Sequence, residues 1–167
     1  MTDTEMLVRH LQLLPHPEGG YYKETYRSAG EIPAEALPAG FEGRRSFATA
    51  ICYLLGAGQF SAFHRIRSDE TWHYYAGSCA LHIHVLDLDG GYACIPLGRQ
   101  IDKGEVYQAT VPAGAWFASE PADPGGFAFV GCTVSPGFDF RDFEMASAAA
   151  LEKLYPDHPD IIRRLCR

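Results

Sequence analysis

Residues Gly58 to Gly77 read GQFSAFHRIRSDETWHYYAG. Five residues separate Gly58 from His64, five separate His64 from Glu70, and six separate Glu70 from Gly77. An imidazole and a carboxylate on a run of aromatic and β-branched residues are the material of a strand-borne acid–base or metal site. Strand alternation puts Glu70, Trp72 and Tyr74 on one face and Thr71, His73 and Tyr75 on the other. With Glu70 facing inward, Trp72 and Tyr74 would wall a pocket beside it, and His73 and Tyr75 would face away, toward a dimer contact. Each aromatic taken singly reads as core. Taken with an ionisable pair, they suit a sugar or another small ring.

The texture around this stretch is that of a β protein. YYKETYRS, SFATAICYLL, TWHYYA, ALHIHVLDL, GYACIPL, EVYQATV and FAFVGCTV are short, rich in aromatic and β-branched residues, and separated by Gly, Pro and Asp. Strands at this spacing without helices between them predict an antiparallel sandwich or barrel. Helical signals lie at the two ends. Thr2 and Glu5 have capping-box spacing, Leu7, Leu11 and Leu14 recur on one face, and Pro15 should end that helix. Ser147 to Leu154 is alanine-rich, and Pro159 can open a last helix that buries Ile161, Ile162 and Leu165. Ala29 to Gly43 is the long loop, a candidate lid or exchanged arm.

The chain of 167 residues is expected to form one domain, 1–167, with its β core at about 20–146. Asp and Glu number 21 against 14 Lys and Arg, a net charge of −7, which argues against a nucleic-acid partner. No run is long enough to cross a membrane, and MTDTEMLVRH lacks the order of a secretion signal. Five widely spaced cysteines without a CxxC suit buried thiols in a reducing compartment, so a cytoplasmic location is expected.

The spacing of Gly58, His64, Glu70 and Gly77 resembles the first motif of the cupin superfamily, with Ile66 where a second histidine belongs. Gly104 and VPAGAWF (Val111 to Phe117) resemble the second motif, with Phe117 in place of its histidine and a longer gap from Gly104 to Pro112. LLPHPEGGYYKETYRS, SDETWHYYAG, VPAGAWFAS and GCTVSPGFDFRDFEMA together resemble a cupin branch catalogued as a domain of unknown function, similar in fold to the dTDP-sugar 3,5-epimerases. The resemblance covers about residues 7 to 146. It implies a mainly β, cupin-type double-stranded jelly-roll barrel, with a short N-terminal helix and C-terminal helices, paired as a homodimer. It implies no particular reaction.

Metal-dependent cupins hold iron or manganese with three histidines and a glutamate. The matching positions here are His64, Ile66, Glu70 and Phe117, two of them apolar, so no cofactor is expected. A divalent metal, were one bound, would rest on His64 and Glu70. The leading reading is a small polar metabolite in the barrel, with isomerase- or epimerase-type chemistry in which His64 moves a proton and Glu70 orients it. Ile66, Trp72, Tyr74, Phe117 and Glu18 are the ligand-binding candidates. In the block HPEGGYYKETYRS, Glu18, Lys23, Glu24 and Arg27 would reach the pocket mouth of a neighbouring subunit on a crossing strand, unless that strand is simply a polar edge. His82 and His84 alternate with Leu81, Ile83 and Val85, which predicts histidines facing solvent or a partner subunit. Cys132, in an apolar strand, reads as structural. Two alternatives remain: a sensor with the same pocket and no turnover, and an oxygenase whose missing ligands come from His73 or the N-terminal arm.

Overall fold

The computed structural model describes residues 2–167. Helix α1 (Asp3–Leu11) begins as its capping box dictates: the Thr2 side chain accepts from the Glu5 amide, and the Glu5 carboxylate accepts from the Thr2 amide. It ends earlier than expected. Gln12 takes the left-handed conformation at φ 56°, so Leu14 leaves the helical face and is exposed, and Leu13 is buried in its place. Pro15 lies beyond the end, in the short strand β1 (Leu14–Pro15).

The strands that follow are β2 (Tyr21–Arg27), β3 (Glu31–Ile32), β4 (Arg45–Ser46), β5 (Thr49–Leu55), β6 (Ser61–Arg65), β7 (Asp69–Gly77) and β8 (Leu81–Leu86). They continue with β9 (Tyr92–Leu97), β10 (Gln108–Val111), β11 (Trp116–Pro121), β12 (Ala128–Ser135) and β13 (Glu144–Met145). One sheet has the order β1-β2-β5-β12-β7-β10 and the other β13-β6-β11-β8-β9, while β3 and β4 pair in the long loop. All the ladder pairings are antiparallel. The inner faces of the two sheets close on one core, in which Tyr53, Trp72, Ile83 and Phe117 are almost fully buried. Burying a large apolar side chain contributes about 1.5–3 kcal/mol. The result is a double-stranded jelly-roll barrel.

Strand β7 shows the alternation read from its sequence: Glu70, Trp72 and Tyr74 are buried, while Thr71, His73 and Tyr75 are not. Strands β6 and β11 complete the second sheet and set Phe117 opposite His64 in register. Helices α2 (Ala148–Leu154) and α3 (Pro159–Leu165), the latter opened by its proline, fold back over the outside of that sheet. Leu151, Ile162 and Leu165 pack there on Phe63, Leu86 and Trp116.

Strand β2 pairs with β5 of its own chain, from Tyr21 opposite Leu54 to Arg27 opposite Thr49. Glu24 and Arg27 on this strand therefore reach the pocket mouth of their own chain. The histidines of β8 are also corrected. Leu81, Ile83 and Val85 do form the core face, but His84 is 4% exposed because the C-terminal segment covers it. Its Nε2 lies 3.1 Å from Glu120, which is in turn paired with Arg164 of α3.

Candidate functional site

The HPEGG turn leads from β1 into β2, and its glycines decide where Glu18 goes. Gly19 and Gly20 have φ values of 116° and 72°. A methyl group at Gly19 would overlap the Phe60 carbonyl oxygen. Only glycine lets the turn press so closely on the segment entering β6. The Tyr53 hydroxyl donates to the Gly19 carbonyl, and the Ala62 amide donates to the Glu18 carbonyl at 2.8 Å. Glu18 is thereby carried over the end of the barrel and is 6% exposed.

There it meets His64. Glu18 Oε2 lies 2.9 Å from His64 Nε2, and His64 Nδ1 lies 2.8 Å from the Ala62 carbonyl oxygen. A carbonyl only accepts, so Nδ1 carries a proton. Nε2 faces a carboxylate, so both ring nitrogens act as donors to protein acceptors. The ring rests on Phe117, with centroids 4.1 Å apart. His16 completes the group. Its Nδ1 accepts from the Glu18 amide at 3.2 Å, and its ring packs edge-on to Tyr22.

His16, Glu18, Tyr22 and His64 line a cavity of about 330 Å³ together with Ile66, Glu70, Cys132, Phe140 and, nearer the mouth, Glu24 and Arg27. The roof comes from the segment around Phe138, Phe140 and Phe143, whose rings pack edge to face on one another. A buried two-pronged ion pair between Arg45 and Asp142, at 2.7 and 2.8 Å, ties that segment to β4. Breaking such a pair costs about 3–5 kcal/mol, so the roof is firmly anchored.

Burial alone would raise the Glu18 carboxyl, but the charge and hydrogen bond of His64, with His16 adding to them, hold it at about 2. Burial works against a charged His64 too, and Glu18, with a smaller contribution from Glu70, outweighs it and raises the imidazole above its ordinary value. Glu70 has no such partner. Burial pushes it up to about 7, the attraction of His64 opposing and the repulsion of Glu18 adding. His16 is lowered, chiefly by burial, and is neutral at pH 7. The site thus holds a Glu18–His64 ion pair and, across the cavity, a carboxyl balanced between its two states.

Of the residues singled out in the sequence, His64, Glu70, Ile66 and Glu18 line the cavity. Trp72, Tyr74 and Phe117 do not. Trp72 and Phe117 are buried in the barrel core beneath the cavity, and the Tyr74 hydroxyl donates to the Cys79 carbonyl oxygen at 2.9 Å. His64 and Glu70 share the cavity, but the direct partner of His64 is Glu18. The sequence reading passed over His16, Phe138 and Phe140. His16 sits within the HPEGG block, whose two glycines were its available signal.

The donor set does not fit a metal. Both His64 nitrogens are committed to protein acceptors, and Ile66 and Phe117 offer no lone pair. Among the described residues, the group of three ligand atoms within 4.8 Å of one another lies outside the barrel.

This fold, closed around a histidine on β6 and a glutamate on β7, is that of a cupin. Residues 5–146 match the family described as Cupin superfamily (DUF985), and the chain belongs to that family. A hypothetical protein from Leishmania major is 40% identical with a TM-score of 0.84, and the match covers 97% of each chain. The crystal structure of a Shewanella oneidensis protein matches at 36% identity and a TM-score of 0.87, over 100% of this chain and 99% of that one. An uncharacterised protein of Saccharomyces cerevisiae is 32% identical over 149 residues, 83% of this chain and 72% of its own. Among the described residues, no helix is long and apolar enough to cross a membrane.

Proposed function

We propose that this cupin binds a small polar, sugar-like metabolite in the barrel and moves a proton on it, as an isomerase or epimerase does, without a metal. The observation that carries this reading is Glu70, a buried carboxyl at about 7 facing a cavity that also holds a fixed ion pair. A general acid–base group works best with a proton affinity near the working pH. Both nitrogens of His64 are occupied, so Glu70 and not His64 is the proton-transfer group. It takes a proton from a carbon next to a carbonyl and returns it, leaving the enzyme unchanged. The Glu18–His64 pair sets the field around Glu70. Neutral His16, with Nδ1 accepting from the Glu18 amide, keeps its Nε2–H to donate to a substrate oxygen. Arg27 and Glu24, themselves an ion pair at 2.8 Å, stand at the mouth for polar substituents.

The test is a metabolite screen by thermal shift, followed by NMR of each hit in deuterated water. Wild-type protein should put solvent deuterium into the ligand. Glu70→Gln should still bind the ligand while exchange falls at least about a hundredfold, the scale of general acid–base catalysis. Binding without exchange in the wild type would make the protein a sensor and overturn the catalytic reading.

A further inference from the structure

The outer face of β8 and β9 carries a second group of functional side chains, separate from the barrel. His82 and His84 project from the same face of β8, and Cys94 on β9 is the cross-strand partner of His84. The ligand atoms of the three lie within 4.8 Å of one another. The His84 imidazole is already set up as a metal ligand. Its Nε2 faces the Glu120 carboxylate, which only accepts, so Nε2 carries the proton and Nδ1 keeps its lone pair. Metal-ligating histidines commonly donate their second N–H to a carboxylate, which fixes the tautomer and the ring. Glu120 is itself fixed by Arg164. The Nδ1 lone pair is capped by the Tyr92 hydroxyl at 2.9 Å, and that hydroxyl also reaches the Cys94 thiol. An incoming cation would displace the Tyr92 hydroxyl from Nδ1 and meet the His84 and Cys94 donors at once.

The geometry points to a thiophilic divalent cation, Zn²⁺ by its donor set, bound by His82, His84 and Cys94 across β8 and β9. Two imidazoles and a thiolate favour zinc over magnesium or calcium, which take oxygen ligands. Metal–ligand bonds of about 2.0–2.3 Å require the three donors to draw together by small side-chain rotations, and a fourth position stays open to water. The cation would fasten an edge strand. Among the described residues, β9 has β8 on one side and on the other only a single bridge from Leu97 to Val106, and its first three residues are exposed. Cys94 is exposed, so the metal reaches the site without opening the fold.

Co²⁺ is the probe, because a cobalt–thiolate bond gives a charge-transfer absorption that nitrogen and oxygen ligands do not. The wild-type chain titrated with cobalt chloride should develop this band at one equivalent, and zinc chloride should abolish it. Cys94→Ser should lose the band, and His82→Gln should weaken binding at least about tenfold. Zn²⁺ should raise the melting temperature of the wild type and not of Cys94→Ser. His64→Gln should keep both effects, which separates this site from the barrel and its proposed chemistry. No band in the wild type, a band that survives Cys94→Ser, or one lost in His64→Gln would overturn the assignment.

Discussion

Glu70 has an ion pair near it and almost no water, and the consequence can be measured as stability. Its folded proton affinity, about 7 against an ordinary 4.5, means the folded state holds a proton that the unfolded chain has released across that interval. Stability from this group is therefore complete below about 4.5 and falls as pH rises through about 7, by on the order of 3 kcal/mol at about 1.36 kcal/mol per unit. Glu18 runs the other way. Lowered to about 2, it stabilises above 4.5 and loses that contribution as pH falls toward 2. His64, raised, stabilises at lower pH and loses that contribution as pH rises through its folded value. Glu70→Gln should remove the first effect and, with the lost attraction, a smaller part of the third. Urea unfolding between about pH 5 and about pH 8 should show wild-type stability falling more steeply than that of Glu70→Gln, which should be the more stable protein at the upper end. Parallel curves would mean that Glu70 is ionised throughout and is not the proton-transfer group. The placement of Glu70 was legible in the sequence because a strand repeats every two residues. The pairing of His64 with Glu18 was not, because Glu18 arrives on a turn, where no periodicity tells which way a side chain points.

Among the elements, the strands with long apolar alternation stood out in the sequence, while β6 and β11 were read as parts of motifs. The reason is physical: SAFHR and WFASEP are buried on both faces, inside the barrel and under the C-terminal helices, so polar alternation is missing. The HPEGG turn shows how much of the site rests on backbone. Gly19 and Gly58 both have positive φ, but nothing lies within 4 Å of a methyl at Gly58, whereas one at Gly19 would strike the Phe60 carbonyl. Gly58→Ala should cost only the conformational strain, about 1 kcal/mol, and Gly19→Ala at least about 3 kcal/mol. Gly19→Ala should also move Glu18 away from His64, so that ring-nitrogen NMR at neutral pH shows a neutral imidazole in place of the doubly protonated one. Equal costs for the two variants, or an unchanged His64 signal, would mean that the turn does not position the pair.

At the scale of the molecule, the two sheets are covered unequally. Helices α2 and α3 cover the outer face of the second sheet over β6, β11 and the end of β8, and leave the start of β9 exposed. That cover is why His84 came out buried when its strand alone predicted exposure: alternation gives the face, and only the fold says what lies over it. Among the described residues, the outer face of the six-stranded sheet has no such helical cover. Tyr26 and Tyr75 stand on it at 55% and 56% exposure, and the Tyr75 ring packs on Phe129 and over Gly131, which leaves no room for a Cβ. An aromatic, largely uncharged sheet face of this kind is the surface that homodimers bury, and two-fold symmetry lets one patch serve both subunits. We propose a second copy of the chain as the partner for this surface. Light scattering at micromolar concentration should therefore return twice the 18.4 kDa chain mass. Tyr26→Asp combined with Tyr75→Asp should halve that mass while leaving the far-ultraviolet circular dichroism unchanged, because both side chains point away from the core. A wild-type mass of one chain, or a dimer indifferent to the two aspartates, would place the contact elsewhere or remove it.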